Sequence, residues 1–266
     1  MALLPEWSNV RKPLVGMLHL PPLPGAPRFA GDMNGLTEHV LRDAEALCSG
    51  GVHGLMLENY GDLPFYPDRV PAQVIAHMTA LACEVRRRFP QVPLGINVLR
   101  NDGRGALSVA HASGARFIRV NVLCGARVAD QGILHGIAHD LLRERATLRA
   151  DVRILADVDV KHSAALAPRP LEDEVADTLH RGLADALVVS GSGTGRATDP
   201  DHVAAARAAA AGKAPVFVGS GITARSLPEY LPHADGFIVG SAFKANNDPA
   251  QPVDVARVRQ MMSALG

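Results

Sequence analysis

Eight short apolar or β-branched runs alternate with longer amphipathic stretches across 266 residues. That order predicts an α/β protein: a parallel eight-stranded (β/α)8 TIM barrel, forming a single domain over residues 1–266. Two further observations favour a closed barrel over an open sheet. The length fits one barrel of roughly 250 residues. The first strand runs into His19-Leu20-Pro21-Pro22-Leu23-Pro24-Gly25, where an open dinucleotide-binding sheet would place a tight glycine turn leading straight into a helix.

In chain order the predicted strands are Leu14–His19, Gly54–Glu58, Pro93–Val98, Phe117–Val122, Val152–Lys161, Ala186–Ser190, Pro215–Gly219 and Gly236–Gly240. Helical periodicity covers Leu36–Cys48, Ala72–Arg88, Leu134–Leu148, Leu171–His180, Pro200–Ala210 and Pro252–Leu265. Local signals mark several ends. Gly50-Gly51 and Gly114 follow periodic stretches, where a left-handed residue closes a helix. Asp199-Pro200 reads as an N-cap with proline in the first helical position. Ala204–Ala211 is a run of good helix former. No stretch reads as a domain linker.

Lys plus Arg and Asp plus Glu both number 27, so no basic excess points to nucleic acid. Arg86-Arg87-Arg88 sits at a predicted helix end, where cations complement the dipole. The three cysteines, Cys48, Cys83 and Cys124, are odd in number and form no CxxC pair, which fits a reducing compartment. Met1 to Lys12 lacks the apolar core of a signal peptide. No apolar run nears the roughly 20 residues of a membrane span. A cytoplasmic protein is expected, with no nucleic-acid partner and no membrane span.

Function is sought in the polar residues that end the strands. Side chains alternate between the helix-facing and lumen-facing sides of a barrel strand. In the fifth run Ile154, Ala156, Val158 and Val160 share one face, and Asp157, Asp159 and Lys161 share the other. Burying such charges is costly unless they pair or serve chemistry. The first strand ends on His19 and the second on Glu58. The third carries Asn97, the fourth Arg119 and Asn121, and the sixth Ser190. Barrel enzymes place their chemistry at this end. The last strands end in small residues instead: Gly219-Ser220-Gly221 and Gly240-Ser241. Their amides could approach a phosphate, and Gly191 to Gly195 could extend that cradle. His19, Glu58, Asp157, Asp159 and Lys161 are therefore the candidate acid, base or electrophilic groups. Asn97, Arg119, Asn121, Ser190, Gly191, Gly193, Gly219, Ser220, Gly221, Gly240 and Ser241 are candidate substrate contacts. Glu58 and Asp157, with His19, could also ligate a divalent cation such as Mg2+, although spacing says little about magnesium. The competing reading is a structural ion-pair network filling the lumen. Asn101 and Asp102 read as caps for a following helix.

Several blocks resemble the BtpA/SgcQ family. They are Gly16-Met17-Leu18-His19-Leu20-Pro21-Pro22-Leu23-Pro24-Gly25, Glu58-Asn59-Tyr60-Gly61-Asp62, Gly95-Ile96-Asn97-Val98-Leu99-Arg100-Asn101-Asp102, Phe117-Ile118-Arg119-Val120-Asn121-Val122, Asp130-Gln131-Gly132 and Ala156-Asp157-Val158-Asp159-Val160-Lys161-His162. The resemblance implies a phosphate-binding barrel. It also implies two kinds of role, photosystem I biogenesis for the cyanobacterial namesake and sugar or nucleotide metabolism for other members. Two expectations follow. One is an enzyme acting on a phosphorylated small molecule, with lyase, isomerase and phosphohydrolase chemistry all open. The other is a non-catalytic assembly or regulatory factor that retains a ligand pocket and presents an apolar patch to a partner. A homo-oligomer suits either.

Overall fold

The computed structural model describes residues 2–160, 162–167, 169–191 and 197–266. The strands are β1 (Leu14–His19), β2 (Gly54–Glu58), β3 (Leu94–Asn97), β4 (Phe117–Val120), β5 (Ala126–Ala129), β6 (Gly132–His135), β7 (Arg153–Val158), β8 (Ser163–Ala165), β9 (Ala186–Val189), β10 (Val216–Val218) and β11 (Gly236–Val239). The helices are α1 (Met33–Gly50), α2 (Ala72–Arg88), α3 (Gly103–Ser113), α4 (Ala138–Thr147), α5 (Leu171–Ala176), α6 (Pro200–Ala210), α7 (Leu227–Tyr230) and α8 (Val255–Leu265). Eight parallel strands close the barrel in the order β1-β2-β3-β4-β7-β9-β10-β11, and β11 pairs back onto β1. No described helix is long and apolar enough to cross a membrane.

Strand alternation builds two cores. Leu14, Leu18, Leu55, Leu57, Ile118 and their equivalents face outward and pack with the helices. Val15, Met17, Met56, Phe117, Leu155 and Phe217 face inward and pack around Trp7. The Trp7 ring lies 5.6 Å from Phe117 and 6.2 Å from Phe217 and closes the N-terminal end of the barrel. Its indole N–H donates to the His53 carbonyl at 2.7 Å. Apolar side chains thus fill the lower lumen, as barrel layers require, and leave only the C-terminal end polar.

The elements differ from the sequence reading in four places. The predicted helix Leu134–Leu148 begins only at Ala138. Before it, Ile133 is exposed and Leu134 buried, the period-two pattern of strand β6. The fifth barrel strand ends at Val158 rather than Lys161, because its pairing with β9 stops at Val158 with Val189. Helix α3 runs between the cap read at Asp102 and the left-handed Gly114 read as a helix end, a span given no predicted range, and α7 lay outside the predicted set. The helix predicted at Leu171–His180 is α5 followed by a π-helical turn over Asp177–Arg181.

The loops after β4 and β7 together form a small antiparallel sheet, ordered β6-β5-β8, at the C-terminal end of the barrel. Arg127 pins it. Its guanidinium donates to Ser163 Oγ at 2.7 Å and to Asp159 at 2.7 Å, and it reaches Glu174 at 3.4 Å.

Candidate functional site

Pairing register assembles the first part of the site. His19 stands beside Glu58, Glu58 beside Asn97, and Asn97 beside Arg119. Each is two residues above an inward-facing residue of the lumen, so all four project into its C-terminal mouth. All four are buried. Asn97 Nδ2 donates to Glu58 Oε2 at 2.6 Å. Glu58 Oε1 lies 3.9 Å from His19 Nε2, an ion-pair separation rather than a hydrogen bond. The Tyr60 ring packs on the His19 imidazole at 4.8 Å.

Arg119 and Asp157 form the second part. Arg119 donates to both carboxylate oxygens, through Nε at 2.7 Å and Nη2 at 2.9 Å. Nη2 also reaches Ser190 Oγ at 3.1 Å. Asn121 Nδ2 donates to Asp157 Oδ2 at 2.9 Å. Burial alone would lower the Arg119 pKa, but the charge and hydrogen bonds of Asp157 outweigh it and raise it. Paired in this bidentate way, two charges tolerate removal from water. Asn121 Oδ1 is buried with no donor among the described residues, and a ligand hydroxyl or amine would satisfy it.

The small residues after β10 and β11 supply the third part. Residues 219–222 and 239–242, with His19, Glu58 and Arg119, line a cavity of about 40 Å³. Glycine is needed at two of these positions. A Cβ on Gly240 would lie 2.5 Å from His19 Cε1, and one on Gly219 would lie 2.5 Å from Val188 Cγ1 and 2.8 Å from Ser190 Oγ. Ser220 ties two loops together. Its hydroxyl accepts the Gly191 N–H at 3.1 Å, and its carbonyl accepts from Thr198 Oγ1 at 3.0 Å. The Gly191 amide is therefore engaged within the protein.

Asp159 is not where strand parity put it. The strand stops one residue earlier, and Asp159 takes φ +48°. Its side chain is 53% exposed and turns to Arg127 and, at 3.5 Å, to His202. It serves the inserted sheet rather than the lumen. Lys161 and Gly193 lie outside the described residues. No group of three or more His, Cys, Asp or Glu suited to a metal occurs among the described residues. Both Asp157 oxygens accept from Arg119 and Asn121, so of the expected ligands Glu58, Asp157 and His19 only Glu58 and His19 stand side by side.

The sequence reading passed over Arg100. It is buried, and its charge is felt by Asp157, Arg119 and Glu58; burial lowers its pKa while Asp157 opposes the shift. The signal was an arginine just beyond the third strand's polar end, noted there but given no role. Asp102 does cap α3, accepting from Gly105 N at 2.7 Å. Asn101 instead clasps the chain after β4, accepting from Val122 N at 2.8 Å and donating to the Val122 carbonyl at 3.1 Å. Cys124 is half-buried. Its thiol points to the Asp177 carbonyl at 3.6 Å, and burial, with Asp177, pushes its pKa up, which suits a structural thiol.

The model of the BtpA family matches residues 10–266. A protein of Thermococcus kodakarensis is 45% identical over 252 residues, 95% of this chain and 94% of that one. The photosystem I biogenesis protein BtpA of Synechocystis is 41% identical over 260 residues, 98% of this chain and 90% of that one. Among solved structures, N-(5'-phosphoribosyl)anthranilate isomerase from Pyrococcus furiosus superposes with TM-score 0.57 at 12% identity, covering 96% of this chain and 98% of the other. That last likeness is one of fold.

Proposed function

This chain belongs to the BtpA family, and from that premise we propose that it is an enzyme acting on a phosphorylated small molecule, a sugar phosphate or a nucleotide. One observation carries the reading: a His–Glu pair and two glycine-rich strand ends face a single cavity at the barrel mouth. In this reading the backbone around Gly219, Ser220 and Gly221, and around Gly240 and Ser241, receives the phosphate. Arg119, its charge paired by Asp157, which fixes its orientation, presents its Nη2 N–H on that side. Asn97 holds Glu58 in place, and Glu58 and His19 exchange a proton with the substrate. Ser190 and Asn121 contact its polar groups. Lys161 and Gly193 join the proposal on the sequence pattern alone. Lyase, isomerase and phosphohydrolase steps all use such a pair, and a magnesium ion, where one takes part, would meet Glu58.

The test is a thermal-shift screen of sugar phosphates and nucleotides, with and without magnesium, followed by turnover assays on any stabilising compound. A true ligand at a hundredfold its Kd adds about 2.7 kcal/mol, or roughly 5–10 °C in a protein of this size. Glu58→Gln should keep most of that shift and lose at least roughly a hundredfold in turnover. A screen in which no phosphorylated compound moves the melting temperature, or a Glu58→Gln variant as active as the parent, ends the reading.

A second reading, an assembly factor, draws on the Synechocystis relative and on one surface. Ile133, Val128 and Ala164 are in register across the three-stranded sheet, and all three are exposed.

A further inference from the structure

The opposite end of the barrel holds a larger cleft, of about 470 Å³. That is within the ~300–1,000 Å³ usual for small-molecule sites. Its walls are the segment before β1 and the loop entering β10, and its floor is formed by Trp7 and Phe217 with Leu3, Val10 and Pro215. The floor is apolar and the rim is cationic. Arg11, Arg207 and Lys213 line the cleft, and Lys12 lies beside it with its ammonium on the Ala234 carbonyl. The lining carboxylate is Asp235, already engaged by Arg207 at 3.1 Å and by the Val216 amide at 3.0 Å. Arg11 and Lys213 are exposed and have no ion pair among the described residues; Lys213 reaches only His180, at 3.1 Å. In a chain of zero formal net charge, three lining cations against one carboxylate, with Lys12 beside them, is a local concentration.

Helix ends collect cations for structural reasons, which would account for Lys213 after α6. It does not account for Arg11 and Lys12, which lead into a strand. Crowding is felt there: burial lowers the Lys12 pKa, Asp235 opposes, and Arg207 and Arg11 lower it further. A bound anion would relieve that repulsion.

We propose that this cleft is a second ligand site, distinct from the one at the C-terminal face, which takes a phosphorylated small molecule with an apolar body, the nucleotide class. The phosphates meet Arg11, Lys213 and Arg207, and the body rests on the apolar floor. The inference stands independently of the function proposed for the other end.

Trp7 is the chain's single tryptophan and lies in this floor, so its fluorescence reports on the cleft directly. ATP, tripolyphosphate and adenosine would each be titrated against the intact protein. ATP should give a saturable change that weakens with salt, as phosphate–cation contacts do. Arg11→Ala/Lys213→Ala removes two charge-assisted contacts from exposed positions and should raise the apparent Kd by at least roughly tenfold. Circular dichroism would show its fold unchanged. No saturable response at millimolar ATP overturns the proposal. So does an ATP response unaltered in the double variant, or equal affinity for tripolyphosphate or adenosine.

Discussion

Arg119 and Asp157 show how a lumen can hold charge. The pair is buried, bidentate and tied to Ser190 and Asn121. Breaking such a pair leaves an unpaired charge and costs about 3–5 kcal/mol, whereas replacing both partners with apolar residues costs much less. Arg119→Met should therefore lose about 3–5 kcal/mol in urea unfolding, and Arg119→Met/Asp157→Leu should recover a large part of it. A loss below about 1 kcal/mol in the single variant would mean that Asp157 is solvated or protonated rather than paired. Parity in the sequence placed Arg119, Asn121 and Asp157 on the lumen side. It did not say which cation meets which carboxylate, because that depends on β4 pairing with β7, which joins residues 38 positions apart in sequence. Asp159 was misplaced for a related reason. Alternation holds only while the ladder continues, and a single left-handed residue ended it.

At the scale of elements, the inserted sheet is where sequence reading was weakest. Its strands are three or four residues long, too short for periodicity to separate from the start of α4. Arg127 anchors one side of the sheet, while Val128 and Ile133 face solvent at 43% and 48% exposure. Exposed apolar residues add little to stability. Val128→Asp/Ile133→Asp should thus shift the unfolding midpoint by no more than about 0.5 kcal/mol per site, and leave any phosphometabolite stabilisation intact. Under the assembly-factor reading the same change abolishes partner binding in a pull-down from the native host. Retained partner capture removes this sheet from that role.

At the scale of the whole molecule, closure depends on the N-terminal end as well as the mouth. His53 links three pieces there. Its carbonyl takes the Trp7 indole, its amide donates to the Leu14 carbonyl at 2.8 Å, and its Nδ1 accepts the Leu14 amide at 3.1 Å. An acceptor nitrogen must be neutral, and burial lowers the His53 pKa. The unfolded chain therefore binds this proton at a higher pH than the folded one does. The contribution is complete above a pH of about 6.5 and falls away as the pH drops through and below that value. His39, whose pKa burial also lowers with Asp43 opposing, adds to the same trend. The difference in unfolding free energy between the parent and His53→Ala should accordingly shrink on going from pH 7.5 towards pH 5, with both values chosen as roughly a unit or more either side of that midpoint. A pH-independent difference would mean that the ring does not act as an acceptor.

By itself the sequence determined the barrel, the lumen side for Asp157, Arg119 and Asn121, and the polar character of one rim. Those follow from period-two alternation and from the alternating order of strands and helices, both local properties of the chain. Only the tertiary structure decided that Asp157 belongs to Arg119, that Asp159 belongs to the inserted sheet, and that cations from residues 11 and 213 share one cleft. Those are contacts between distant segments, set by strand register and barrel closure, and no window of sequence contains both partners.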